Sequence, residues 1–259
     1  MAAESPENII TLYDIEAKAG VGPWSPNTWK ARFALNYKGV AYKTVYISYP
    51  DIKSKMMELG AAPGYPNGSR GDLYTLPVIH DPKHGVTITD SWKICEHLDK
   101  HYPASDPSQQ ILPPGSQMLQ RAFSLWHDQV LTDAIGDLAC MDCPAQLDER
   151  GKEYFIRTRA EWWGKPLDTW VTDRPAQWEK VRKDYARLAQ LYDQYAPGSS
   201  GWAMGGEGPT HADFNVAGTL IWSKKLNLAE GEGWDVLSKI DGGRWDRFLQ
   251  KLAPYMSEQ

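Results

Sequence analysis

Residues 9–47 read IITLYDIEAKAGVGPWSPNTWKARFALNYKGVAYKTVYI, and the order of patterns in this stretch decides the architecture. Ile9 to Ile15 is a short run rich in β-branched and apolar residues, the signature of a strand. Pro26 to Lys38 reads as a helix that stops against Gly39, and Tyr42 to Ile47 repeats the strand signal. Strand, helix and strand in succession make a βαβ unit.

Outward from this unit the pattern continues. A short helix is expected over Ile52 to Leu59, followed by an irregular flap from Gly60 to Asp72, where Gly and Pro crowd the chain. Leu76 to His80 and Val86 to Thr89 read as a hairpin joined through Asp81-Pro82-Lys83-His84-Gly85, and Ser91 to His101 as a closing helix. The predicted order is βαβαββα, in residues 1–104. From Pro103 to Gly115 the chain turns to PASDPSQQILPPG, a linker composition, so 105–115 is taken as the connection. Beyond it, in 116–259, strand alternation gives way to helical spacing such as Trp178, Val181, Tyr185, Leu188 and Tyr192. The second domain is therefore predicted to be all-helical, and no repeat of fixed period is visible.

Composition narrows the function. A chain of 259 residues with 42% hydrophobic and 24% charged residues can bury a substantial core. A net charge of -5 opposes broad binding to nucleic acid or anionic membrane. The start, MAAESPENII, lacks a basic and apolar leader, and no apolar run is long enough to span a bilayer. Three cysteines, Cys95, Cys140 and Cys143, cannot staple a chain of this length. A soluble, cytoplasmic protein is expected. With 12 Trp and 13 Tyr against 5 Phe, the chain favours side chains that combine apolar area with a polar handle.

Three spots carry chemistry. Ser25 precedes Pro26 at the start of the first helix, where an N-cap hydroxyl and a proline at the first helical position belong. The hydroxyl either caps the helix or, beside free N–H groups and the positive dipole end, holds an anion such as a thiolate. Asn27, in the same turn, offers a further amide donor. Pro77 follows Leu76 at the mouth of a strand; it either simply starts the strand or, if cis, leaves the Leu76 N–H and C=O for an extended peptide. Asp90 and Ser91 open the last helix of the domain, either as plain caps or as a carboxylate and hydroxyl able to hold an amino-acid head group.

As a set these features resemble the thioredoxin-like domain of glutathione transferases. A Thr210-x-x-Asp213 capping box matches a folding signal of that family's helical domain. The segments GPWSPNTWKARFALNYKG (22–39) and ITDSWKICEHLDKHYP (88–103) look most like the etherase-like (fungal FuA) class, which is related to the bacterial β-etherases. The resemblance implies an N-terminal thioredoxin-like domain, an all-helical C-terminal domain and glutathione as co-substrate. It implies Ser25 as the catalytic hydroxyl, with basic residues at Lys30 and Arg32. It also implies Leu76 and Pro77 at the cysteinyl backbone, and Asp90 and Ser91 at the γ-glutamyl group. Many relatives carry Glu where this chain has Asp90. Lys53 is a weak counterpart for the group that grips the glycyl carboxylate. A homodimer is implied by the family alone.

The physics permits activation. A thiol of pKa about 8.5 is only a few per cent ionised at pH 7. A hydrogen bond to the charged sulfur contributes about 1.5–3 kcal/mol and a helix end roughly 0.3–1, enough to lower the pKa by about one to three units. Other chemistry is disfavoured. Cys140 and Cys143 stand in the helical domain, away from the first βα turn where a redox dithiol gains its low pKa. Cys95 is read as core, and His127 with Asp128 as packing or cleft lining. No arrangement of the six His and three Cys shows metal-ligand spacing, so no metal is expected. The expected function is attack of the glutathione thiolate on aromatic electrophiles or aryl ethers. The alternative is a polyphenol-binding protein with negligible turnover. A few of Trp24, Trp29, Trp126, Tyr154, Trp162 and Trp163 are expected to line the cleft for a small aromatic or phenolic ligand.

Overall fold

The computed structural model describes residues 8–68, 71–103, 106, 109–195, 201–226 and 232–259. Strand β1 (Ile10–Ile15) is buried along its whole length, as a central strand flanked on both sides must be. It pairs parallel with β2 (Tyr42–Ile47), from Ile10 opposite Tyr42 to Ile15 opposite Ile47. Between them runs α1 (Pro26–Tyr37), which ends as expected at Gly39, with φ +63°. After α2 (Ile52–Glu58) come β3 (Tyr65–Gly68) and β4 (Gly71–Leu73), then the hairpin β5 (Val78–Asp81) and β6 (Val86–Thr89), and α3 (Ser91–His101). The main sheet has the order β2-β1-β5-β6, with β5 antiparallel to both neighbours.

Two expectations are corrected. The flap is irregular only in part: β3 and β4 form a small antiparallel pair, with Tyr65 opposite Leu73 and a register shift before Gly68 meets Gly71, while residues 69 and 70 lie outside the described ones. The Asn67 N–H bonds Asp72 Oδ1 at 2.9 Å, a polar side-chain tie between the two strands that Gly and Pro content does not announce. The third core strand starts at Val78 rather than Leu76, because Pro77 has no N–H for the ladder. The Leu76–Pro77 bond is cis.

The C-terminal part is helical. Helix α4 (Gln117–His127) runs through a π turn (Asp128–Thr132) into α5 (Asp133–Asp142), followed by α6 (Glu149–Trp163), α7 (Arg174–Tyr195), α8 (His211–Lys225), the short α9 (Trp234–Leu237) and α10 (Arg244–Leu252). No helix among the described residues is long and apolar enough to cross a membrane. Thus an N-terminal thioredoxin-like domain with a mixed sheet is followed by an all-helical domain; residues 104, 105, 107 and 108 of the expected linker lie outside the described ones.

Helix α8 is buried from His211 to Ser223, and its start is secured by the capping box read from the sequence. Asp213 Oδ2 accepts the Thr210 N–H and hydroxyl, each at 2.8 Å. Burial pushes its carboxyl up to about 6 despite these bonds. The contact between domains is made where α1 lies on α8: Phe33 stacks on Phe214 at 5.4 Å. Closer to the start of α1 the helices touch through Gly218, where a Cβ would fall 2.5 Å from the Pro26 carbonyl oxygen. Gly218→Ala is expected to destabilise the chain by about 1–3 kcal/mol, as overpacking does, measured by urea unfolding. Because backbone must move, the residue beside Pro26 shifts with it.

Candidate functional site

That residue is Ser25. It occupies the N-cap of α1, as its neighbour Pro26 predicts, but its side chain makes no capping hydrogen bond. Its carbonyl accepts the first helical bond, from the Trp29 N–H at 3.1 Å, and also the Thr28 hydroxyl at 3.2 Å. Trp29 Nε1 ties down the preceding turn by donating to the Pro23 carbonyl at 3.0 Å. The hydroxyl is thereby left for something else, and only 2% of the residue is exposed.

Ser25 stands in the wall of a cavity of about 340 Å³ between the two domains. Pro26 and Asn27 continue this wall, Leu76 and Tyr74 approach from the strand side, and Lys53 from α2. The opposite wall belongs to the helical domain: Thr132, Tyr154, Phe155, Arg159 and Trp162, with Cys140, Cys143 and Trp222 beneath. The π turn places Thr132 there, where its hydroxyl lies 3.2 Å from His127 Nδ1. His127 itself is buried and packs behind the cavity rather than facing it, and burial lowers its pKa, so it stays neutral.

The structure gathers some sequence candidates and separates others. Ser25, Asn27 and Leu76 share the cavity; Pro77, Asp90 and Ser91 do not line it. They adjoin its strand side, the Asp90 N–H donating to the Pro77 carbonyl at 3.2 Å. The cap of α3 is the Asp90 carboxylate, whose Oδ1 accepts the Trp92 and Lys93 N–H groups at 3.1 and 3.2 Å. This corrects the reading of Ser91 as the capping hydroxyl: Ser91 is the first helical residue, buried, with Oγ 3.5 Å from His211 Nε2. Asp90 is exposed and held at φ +89°, a conformation that costs a non-glycine residue about 1–3 kcal/mol and recurs at ligand clamps. Lys30 faces this region, its ammonium form opposed by burial and favoured by Asp128 and Asp90. Arg32 does not: it is buried with Asp14 at 3.0 Å and belongs to the core.

Of the aromatic residues expected in the cleft, Trp24, Tyr154 and Trp162 line it. Trp29 is fully buried in the core, Trp126 is half-buried and Trp163 exposed, all outside the cavity. Sequence reading missed Tyr49, Phe155, Trp222 and Arg159. The Arg159 guanidinium lies 4.0 Å from the Phe155 ring centre, 4.4 Å from Trp162 and 5.2 Å from Tyr49. Among the described residues its N–H groups bond only the Thr158 hydroxyl, at 3.1 Å, and it forms no ion pair. Burial pushes the Cys140 thiol up to about 11 and raises Cys143 as well, so neither is a thiolate at neutral pH.

A thioredoxin-like domain, a helical domain and an interdomain cavity walled by a helix start on one side and aromatic rings on the other define the class of glutathione-dependent transferases. Residues 24–101 match the family model of the glutathione S-transferase N-terminal domain, and 118–255 that of its C-terminal domain. The chain belongs to the glutathione S-transferase family: it is a glutathione transferase, with glutathione as its co-substrate. It is 32% identical to the glutathione S-transferase-like protein ustS of Aspergillus flavus, over 91% of this chain and 86% of that one. A glutathione S-transferase of Ceriporiopsis subvermispora, solved with glutathione, superposes with TM-score 0.88 at 34% identity, covering 96% of this chain and 98% of that one. Glutathione transferase GSTFuA3 of Phanerochaete chrysosporium superposes equally, at 0.88 and 30% identity, with the same coverage. The similarity is to fungal enzymes of the FuA type.

Proposed function

We propose that this transferase uses the Ser25 hydroxyl to hold the glutathione sulfur as a thiolate and aims it at an aromatic electrophile or aryl ether in the cavity. The observation that carries this reading is the Ser25 hydroxyl itself, buried in the cavity wall and not consumed by capping. Asn27 is a second donor at the same helix start. Leu76 and Pro77 flank the cysteinyl backbone. Asp90, with Oδ2 taking no bond among the described residues, receives the ammonium of the γ-glutamyl group, and Ser91 stands beside it. The sulfur forms a bond to an electrophilic carbon, and a halide or aryl oxide leaves with the bonding pair. Ser25 donates to the sulfur throughout and loses no proton. We take the division into residues 1–104, a link over 105–115 and 116–259, a homodimer and a cytoplasmic setting as part of the same reading.

Arg159 sharpens the choice of co-substrate. A guanidinium seated on three rings, with no carboxylate partner among the described residues, suits a flat aromatic that carries a phenolate or carboxylate. The test is glutathione-dependent turnover of a matched pair of aryl electrophiles, one neutral and one bearing a carboxylate. The wild type is expected to favour the anionic one, and Arg159→Met to lose about tenfold of that preference, equivalent to 1.4 kcal/mol. Tight aromatic binding with background turnover of both compounds, equal in wild type and Ser25→Ala, would instead mark a polyphenol-binding protein.

A further inference from the structure

The expectation that no His or Cys arrangement has metal-ligand spacing overlooks one pair: His97 and His101 are four residues apart on α3, a spacing that puts both rings on one face of a helix. The fold then brings the β5–β6 hairpin against that face. Asp81, the last residue of β5, and His84, in the turn after it, meet His97 there. Asp81 Oδ2 is 2.8 Å from His84 Nδ1 and 2.7 Å from His97 Nε2, and the three ligand atoms lie within 4.8 Å of one another. The His101 ring centre stands 4.5 Å from that of His84 and 4.6 Å from that of His97. None of these residues lines the interdomain cavity.

From this cluster we infer a binding site for a late first-row divalent metal ion, Zn²⁺ by its ligand chemistry, held by Asp81, His84 and His97 with His101 beside them. Two imidazoles and one carboxylate are the borderline nitrogen and oxygen donors that Zn²⁺ takes. Tetrahedral bonds of about 2.0–2.1 Å set the ligand atoms about 3.4 Å apart, so Asp81 Oδ2, which also accepts the Tyr102 hydroxyl at 2.9 Å, must draw back from the two ring nitrogens by a little over half an ångström, and the imidazoles must turn to converge on the ion. His84, with a quarter of its side chain exposed, leaves an approach from solvent, while Asp81 is fully buried and fixes the inner end. The two ring nitrogens now donate to Asp81. On binding, each of these nitrogens gives up the proton it shares with Asp81, which passes to the ring's other nitrogen or to solvent. The Lys83 ammonium, 5.2 Å from the ring centre of Tyr102, opposes the added charge and limits the affinity. The ion would pin the hairpin to the C-terminal half of α3, so its effect is on stability and not on the sulfur chemistry.

The test is titration of chelator-treated, tag-free full chain with Co²⁺ as the spectroscopic probe, followed by competition with Zn²⁺. The expected result is one equivalent bound at micromolar or lower Kd, with the visible absorption of a four-coordinate site and a higher Tm in the presence of Zn²⁺. His84→Gln abolishes the signal, and His101→Gln, which leaves the Asp81 bonds intact, weakens binding at least tenfold if its ring completes the set. His84→Gln keeps basal conjugation activity. No stoichiometric binding, or binding equally strong in His84→Gln, overturns the site and leaves the cluster a hydrogen-bonded clasp.

Discussion

Ser25→Ala is expected to lower kcat/KM for glutathione conjugation at pH 7 by about three- to tenfold while the variant folds normally. Removing a hydrogen bond to a charged sulfur costs about 1.5–3 kcal/mol, which raises the pKa of the bound thiol by roughly one to two units. Ten- to a hundredfold less thiolate then forms at pH values below both pKa values. Part of this loss is offset, because a more basic thiolate is the better nucleophile, with a Brønsted slope of about 0.4–0.5. The two effects have different pH ranges. Ionisation ceases to matter above the variant's pKa, so the rates converge and the variant overtakes the wild type on the alkaline side. The measurement is the pH profile of kcat/KM together with ultraviolet titration of the bound thiolate. An unshifted ionisation in Ser25→Ala would remove the serine from the mechanism, whatever happened to the rate. A parallel Asn27→Ala measurement separates the second donor from the first.

Asp14→Ala is expected to be among the most damaging single changes in the chain, at about 3–5 kcal/mol of unfolding free energy. Asp14 lies on the central strand β1 and Arg32 on α1, paired at 3.0 Å with neither side chain exposed. Removing the carboxylate strands a guanidinium in the core, where its remaining bonds go to the Tyr42 hydroxyl at 3.3 Å and the Gln259 carbonyl at 3.0 Å. Against a whole-protein stability of roughly 5–15 kcal/mol the loss is large, and it lowers Tm by about 6–20 °C. Asp14→Leu combined with Arg32→Met removes both charges at similar volume and is expected to recover most of the loss. Calorimetry of the single and paired variants gives the coupling directly. A single variant within 1 kcal/mol of wild type, a difference too small for a stranded buried charge, would show that the pair does not hold α1 to the sheet.

These two residues show how far the sequence is legible. The start of α1 could be read because its signals are local: a serine, then a proline that cannot sit inside a helix, then helix formers up to a glycine. The same holds for β2, β6 and α3, whose ends fall where their spacing puts them. The Thr210–Asp213 box is likewise contained in four residues. By contrast, nothing within reach of Arg32 in the chain tells that its partner is Asp14, eighteen residues earlier on a strand. Its family position suggested a basic residue near the site; the fold made it a core residue. Arg159 escaped notice for the same reason. Its surroundings are Tyr49 of the first domain and Phe155 and Trp162 on its own helix, and only the packing of the two domains puts all three rings around it.

The sequence by itself determined the element types of the main sheet and its helices, though not β3 and β4, the order of the sheet domain before the helical domain and the placing of Ser25 at a helix start, since each depends on the φ preferences, caps and periodicity of neighbouring residues. Tertiary structure decided which of the Trp and Tyr side chains face the cavity, that Asp90 rather than Ser91 caps α3, and that Asp81, His84 and His97 meet. The cavity lining and the meeting of His97 with Asp81 depend on distances between residues far apart in the chain, set by packing helices and strands on one another; the Asp90 cap is local, within three residues, but Asp90 and Ser91 are both good capping residues and only the backbone geometry chooses between them.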